Sequence, residues 1–156
     1  MQVLYVDNII KQKTNPVFTQ IWLEKGFNVG IAANFTGINE ALKNEAISYH
    51  HIDFIRNPFH LKNIKAYWQL LSLLKKGKFD VIHCNSPIGG LLGRLCGKRA
   101  RVPKIIYTAH GFHFYKGAPL INRTVFKWAE MWLAHYTDAI ITINQEDYQA
   151  AQKFKL

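Results

Sequence analysis

Apolar positions along this 156-residue chain alternate between two rhythms. Short β-branched and aromatic runs recur at "QVLYV" (2–6), "NVGIAA" (28–33), "ISYHHI" (47–52), "DVIHC" (80–84), "KIIYTA" (104–109) and "DAIITI" (138–143). Several are apolar on both sides, as strands buried on both faces of a parallel sheet are. Between most of them the period lengthens to that of a helix. In "LKNIKAYWQLLSLLKK" (61–76) the apolar positions are Leu61, Ile64, Tyr67, Trp68, Leu71 and Leu74, with Lys62, Lys65, Gln69, Ser72 and Lys76 opposite, which predicts an amphipathic helix. Further helices are expected over Asn15–Lys25, Ile88–Lys98, Leu120–His135 and Gln145–Phe154, the last capped by Asn144 with Asp147 three residues on. Strands alternating with helices predict an α/β fold: a single Rossmann-like, doubly wound parallel sheet with helices on both faces.

Three strands end alike. "VIHCNS", "IYTAHG" and "ITINQED" each turn polar or titratable just past the apolar part. Ligands of open parallel sheets bind outside the carboxyl ends of the strands, so these tips are the candidate site, with Asn85, Ser86 and Asn144 as candidate substrate contacts. Asn85, Ser86 and Pro87 stand at the start of a helix, and Gly89 and Gly90 follow. A helix start of this kind offers unpaired N–H groups to an anion, and the glycines admit a ligand or another chain close to the backbone. Capping and close helix–sheet packing explain the same residues equally simply. In "TAHGFHFYKG" the histidines His110 and His113 flank Gly111. Three residues apart around a glycine they need not share a face, and a zinc site would need more ligands than the stretch supplies. One imidazole in the crevice would instead bond a sugar hydroxyl or phosphate, or else both histidines belong to a structural loop.

Composition narrows the class. The chain is 49% apolar and 19% charged, within the range of soluble globular proteins, and long enough for one domain with a real core. Its apolar runs fall short of a bilayer span, and the start lacks the basic and small-residue marks of a signal peptide, which suggests an intracellular protein. Cys84 and Cys96 are too far apart for a C-x-x-C motif and are expected to be buried thiols. The net charge of +10 is concentrated between residues 61 and 127, where thirteen basic side chains face one acidic. Such a segment suits an anionic partner, although Lys75, Lys76, Arg99 and Arg101 also fall where cations complement helix C-termini.

The blocks "FDVIHCNSPIGGLLGRL", "RVPKIIYTAHGFHFYKGAPL" and "YTDAIITINQEDYQAA", with "VLYVDN" and "IDFIRNPFHLKNIKAYWQLL", resemble bacterial capsule and exopolysaccharide glycosyltransferases of family 4. The resemblance implies one half of a GT-B fold and a retaining transfer from a nucleotide sugar, a UDP-sugar, to a lipid-linked glycan acceptor. It also implies that residues 1–156 form the amino-terminal, acceptor-binding domain. No cofactor is expected in this half: the donor would be held mainly by a carboxyl-terminal domain absent from the chain, and the chain alone would be inactive. By resemblance His110 matches the catalytic histidine that reaches the transferred sugar. Gly111 and Gly117 let its loop fold close to the ligand, and Lys116 lies near acceptor phosphate or hydroxyl groups. Relatives commonly carry His where Asn85 stands, and Asn8–Lys13 lacks the glycines of many family members' first loop.

The expected partners are therefore the lipid-linked acceptor, a donor domain or subunit, and an anionic membrane surface met peripherally at the cytoplasmic face. A non-catalytic binding subunit of a split transferase fits the same residues. A basic nucleic-acid-binding module fits less well, because the cations are spread over several helices and no recognised DNA or RNA motif is present.

Overall fold

The computed structural model describes residues 1–9, 17–36, 44–114 and 117–156. All six predicted strands form: β1 (Gln2–Ile9), β2 (Asn28–Asn34), β3 (Ile47–His51), β4 (Val81–Asn85), β5 (Lys104–Ala109) and β6 (Ala139–Thr142). They make one parallel sheet in the order β3-β2-β1-β4-β5-β6. The helices are α1 (Val17–Glu24), α2 (Lys62–Gly77), α3 (Pro87–Ala100), α4 (Lys127–Ala134) and α5 (Gln145–Ala151). The doubly wound α/β expectation holds. Parallel strands need crossovers of one hand, so the helices that carry the chain toward β6 lie on the face opposite α1. Leu4, Val6, Ile82, Cys84, Ile105 and Tyr107 form the core on the face of α2, α3 and α4, whereas Tyr5, Ile31, Ala33 and Ile47 pack with Phe18 and Leu23 of α1.

Strand β1 runs past its apolar part, and its register against β2 slips between Val6 and Ile9. A slip of this kind re-aims side chains at a strand end. The helix expected over Leu120–His135 is interrupted by a π-helical turn at Asn122–Phe126. Thr124 Oγ1 donates to Leu120 O at 2.8 Å, and such back-bonding to a helix carbonyl bends or widens the turn. Helix α5 stops at Ala151 rather than Phe154, because Phe154 turns into the core. The starting residues Asn15 and Pro16 of the first expected helix lie outside the described residues.

The buried face of α2 is Asn63, Ala66, Leu70, Leu71 and Leu74. Leu61, Ile64 and Trp68, expected on that face, are 78%, 59% and 58% exposed. Asn63 decides the rotation. Its Oδ1 accepts from Ile55 N at 2.9 Å, while its Nδ2 donates to Ile55 O at 3.1 Å and Asn57 O at 2.8 Å. A buried side-chain amide so fully paired costs little to bury and anchors the loop before the helix.

Helix α3 presses on β4 and β5. A Cβ on Gly90 would lie 2.5 Å from Tyr107 Cε2, and one on Gly93 would lie 2.5 Å from Cys84 Sγ. Beyond the Tyr107 ring sits Arg94, fully buried, its guanidinium carbon 3.9 Å from the ring centroid. Arg94 Nε donates to Gly90 O at 2.8 Å, and Nη1 and Nη2 reach Glu130 Oε2 and Oε1 at 2.8 and 3.1 Å. This bidentate pair fastens α4 to α3. Removing one partner of such a pair strands a buried charge at a cost of about 3–5 kcal/mol, whereas replacing both by apolar residues of similar volume is far milder. Urea denaturation should therefore show Glu130→Ala strongly destabilised and the Arg94→Met, Glu130→Leu double variant closer to wild type. A double variant as unstable as Glu130→Ala would refute this account.

Candidate functional site

The strand order reverses between β1 and β4, since the chain leaves β1 toward β2 and leaves β4 toward β5. A crevice opens at such a reversal, bounded by the carboxyl ends of the flanking strands. Here those ends supply Asp7 and Asn8 from β1, Asn85 and Ser86 from β4, and His110 from β5.

Their side chains are joined. Asn85 is buried, and its Nδ2 donates to Asp7 Oδ2 at 3.0 Å and to the Tyr5 hydroxyl. Its Oδ1 faces His110 Nε2 at 2.5 Å. Asp7 Oδ1 accepts from Asn8 N at 2.6 Å, and Ser86 Oγ accepts from the same amide at 3.1 Å. Ser86 adopts φ 59°, unusual for a side chain with a Cβ, and its hydroxyl ties the tip of β4 to that of β1. His110 itself is exposed.

The loop after β5 leaves through Gly111 at φ 134°, a conformation that a residue with a Cβ rarely takes. Phe112 then plugs the core, with its ring 4.8 Å from Phe114 and 5.6 Å from Phe154 between centroids. The Phe112 amide donates to Asp147 Oδ1 at 3.0 Å. Asp147 is in turn paired with Asn144, whose Oδ1 accepts from Asp147 N at 2.8 Å and whose Nδ2 donates to Asp147 Oδ2 at 2.5 Å. Asn144 is thus the cap of α5, and the capped Asp147 fastens the loop that carries His110.

The expected site residues divide accordingly. Asn85, Ser86 and His110 meet at the crevice, and Gly111 follows directly. His113 turns away from His110 and packs its exposed ring edge-on to Phe126 at 5.7 Å. The close approach at Gly89 is to Val6 O and Asp7 Cα, 3.1 and 3.2 Å from a Cβ built there, and that at Gly90 is to the Tyr107 ring. For both glycines the neighbour is the protein's own chain, which is the packing reading rather than the ligand reading. Lys116 lies outside the described residues, as do residues 10–13 of the first loop. Asp7, Tyr5 and Thr108 were missed by the sequence reading. A two-residue period would have found them: Tyr5 and Asp7, His83 and Asn85, Thr108 and His110 alternate in step on three adjacent strands, with Tyr5 beside His83 and Asn85 beside Thr108, and so share one sheet face.

Burial sets the charge of this face. The Tyr5 hydroxyl is pushed above the usual phenol range, first by burial and then by the Asp7 carboxylate, so it stays protonated. His83, wedged between the rings of Tyr5 and Phe18 at 5.4 and 4.6 Å, has its Nε2 2.8 Å from Thr108 Oγ1. Burial, helped by His110, pulls its pKa from 6.5 to about 4. Cys84 and Cys96 are free and buried, and burial pushes each thiol up to about 12, so they remain protonated and unreactive. Among the described residues, no cluster of three or more His, Cys, Asp or Glu is placed to hold a metal.

Residues 20–156 match the profile of Glycosyltransferase Family 4. The chain belongs to that family. Among curated relatives, EpsD of Bacillus subtilis, which carries a glycosyltransferase name, is 46% identical over 99 residues, 62% of this chain and 26% of its own. A UDP-Gal:α-D-GlcNAc-diphosphoundecaprenol α-1,3-galactosyltransferase of Escherichia coli is 36% identical over 98 residues, 63% of this chain and 25% of its own. The chain thus spans about a quarter of the length of these relatives. MurG of Acinetobacter baumannii superposes with TM-score 0.61 at 16% identity, covering 92% of this chain and 41% of that one. Bordetella bronchiseptica WbmH in complex with NAD+ gives 0.57 at 13% identity, covering 91% and 54%. Both share the Rossmann-like fold.

In this family-4 domain the neutral His83 carries a pH dependence. Between about 4 and 6.5 the unfolded chain binds a proton that the folded chain refuses, so stability is complete above 6.5 and is lost as pH falls toward 4. The loss attributable to His83 is at most about 3 kcal/mol. Urea midpoints over that window should fall more steeply for wild type than for His83→Phe, which keeps a ring between Tyr5 and Phe18. Parallel slopes would contradict the assignment.

Proposed function

We propose that this chain is the amino-terminal, acceptor-binding domain of a retaining glycosyltransferase that moves a sugar from a nucleotide donor to a lipid-linked glycan in capsule or exopolysaccharide synthesis. The supporting observation is the joined set Asp7, Asn85 and His110 at the strand-order reversal of a family-4 fold. The name of the Escherichia coli relative supplies the substrate classes: a UDP-sugar donor and a sugar-diphosphoundecaprenol acceptor. In the reaction the bond between the sugar and its nucleotide breaks and a bond to an acceptor hydroxyl forms with the anomeric configuration kept. His110 meets the transferred sugar, Ser86 and Gly111 border the acceptor, and Asn85 stands behind His110. The donor is held by a second domain or subunit.

Such an acceptor lies at a bilayer surface, and the chain has a face suited to one. Among the described residues no helix is long and apolar enough to cross a membrane. On the π-helical turn and α4, however, Ile121, Val125, Trp128 and Trp132 recur at helical spacing and are exposed, and on α2 so are Leu61, Ile64 and Trp68. Both helices lie on the same side of the sheet. Exposed Lys62, Arg123 and Lys127 stand among these residues, and Lys98 Nζ lies 5.9 Å from the ring of Tyr136, which in turn packs on Trp132. Aromatic and aliphatic side chains fringed by cations match an anionic lipid surface, where each cation adds about 1 kcal/mol. The occupant we assign is the inner face of the cytoplasmic membrane.

Two outcomes follow. The purified chain should show no sugar transfer above background, and in a protein that joins it to a donor-binding half His110→Ala should lower kcat by roughly 10², about 2.7 kcal/mol, with His113→Ala costing less. Wild-type turnover in His110→Ala would remove that residue from the reaction. In sedimentation assays the chain should bind vesicles containing anionic lipid at low salt and release them as the Debye length shrinks from about 30 Å at 0.01 M to 8 Å at 0.15 M, with Trp128→Ala weaker than wild type. Equal binding to neutral and anionic vesicles would rule out the membrane assignment.

A further inference from the structure

The amide of Asn85 has two ends, and its neighbours decide which way it points. A carboxylate only accepts hydrogen bonds, so the end 3.0 Å from Asp7 Oδ2 must be Nδ2. The other end, Oδ1, then faces His110, and an amide oxygen also only accepts. At 2.5 Å from that oxygen His110 Nε2 must carry a hydrogen. Asp7 is itself held by the Asn8 amide at 2.6 Å and cannot readily turn away. The register slip in β1 falls between Val6 and Ile9, the stretch of the strand that holds Asp7, and Asn85 is buried, so neither partner is a freely rotating surface group.

We propose that Asp7, acting through Asn85, fixes the ring orientation and the Nε2–H tautomer of His110, so that Nδ1 is kept as a hydrogen-bond acceptor. Asp7 and Asn85 are positioning residues: they act on a ligand only through the histidine. The consequence is selective. An imidazole held this way accepts from a ligand hydroxyl, the commonest group on a sugar, and offers no N–H from Nδ1 to a carbonyl or phosphate oxygen while the ring is neutral. The inference deepens the reading of His110 as a sugar-facing residue and rests on that reading for its use, but not for its test.

The test is nitrogen-15 NMR of the imidazole in the 156-residue chain at about pH 9, where imidazoles are neutral. Wild type should show His110 Nε2 protonated, Nδ1 unprotonated, and an Nε2 proton that exchanges slowly with water. Asn85→Leu should speed that exchange at least about tenfold, the equivalent of about 1.4 kcal/mol of lost protection. Asp7→Asn is nearly isosteric and serves if Asn85→Leu does not fold. Because an amide at position 7 no longer dictates which end of Asn85 faces it, exchange should rise several-fold and the Nδ1–H form should gain population. A wild-type His110 protonated at Nδ1, or exchange unchanged in whichever variant folds, would overturn the proposal. These readouts need no donor, acceptor or turnover, so a locked tautomer in this chain together with wild-type turnover of His110→Ala in the protein joined to a donor-binding half would count against the proposed role of His110 alone.

Discussion

Helix α3 lies so near the sheet that Gly90 and Gly93 leave no space for even a methyl group against Tyr107 and Cys84. Much else is set by that contact. With the helix at this distance, its first residues are brought against the end of β1, where Gly89 meets Val6 O and Asp7 Cα and Ser86 reaches the Asn8 amide. The tips of β1 and β4 are therefore braced against each other on one side by packing and on the other by the Asn85 amide. The same closeness leaves Arg94 without a route to water. It is satisfied internally by Gly90 O, the Tyr107 ring and Glu130, and so α4 is fixed relative to α3. A buried ion pair of this kind adds little net stability over an apolar pair, but its geometry admits one arrangement.

Most of the fold was legible because strand periodicity survives burial on both faces: all six strands stand where the apolar runs predicted them. Less legible was anything decided by partners distant in sequence. The rotation of α2 is the clearest case. Hydrophobicity alone puts Leu61, Ile64 and Trp68 inward, yet the three hydrogen bonds of Asn63 to the loop at residues 55–57 turn a polar residue in and those three out. The Arg94–Glu130 pair, thirty-six residues apart, and the π-helical turn leave no local mark either. The capping of α5 by Asn144 was readable, being local, but its second use was not: Asp147 also holds the Phe112 amide, a link across thirty-five residues.

At the candidate site the resemblance and the stereochemistry single out different residues. His110 and its glycine follow from an unusual loop sequence. Asp7, Tyr5 and Thr108 sit in ordinary strand runs and gain meaning only from the alternation of side chains across three neighbouring strands. On the face of α2, α3 and α4 that alternation gives Leu4, Val6, Ile82, Cys84, Ile105 and Tyr107, all apolar or aromatic. On the other face it gives Tyr5, Asp7, His83, Asn85, Thr108 and His110. The polar row is thus kept apart from the larger core, on the side that carries the smaller core of Tyr5, Ile31, Ala33 and Ile47.

That separation also settles which polar groups stay uncharged. Burial deep in the sheet holds Tyr5 protonated and His83 unprotonated, so the inner row of the polar face is neutral at ordinary pH. The carboxylate of Asp7 stands one residue pair further out, where the Asn8 amide and the Asn85 amide satisfy it. A charge fixed there, behind an asparagine that can only pass on its polarity, orients the outermost imidazole without placing a second charge against it. For the anionic donor and acceptor that we propose, this arrangement has a physical advantage. It positions His110 by dipoles, whose field falls off faster than that of a carboxylate in direct contact, and so adds little repulsion to the approach of phosphate.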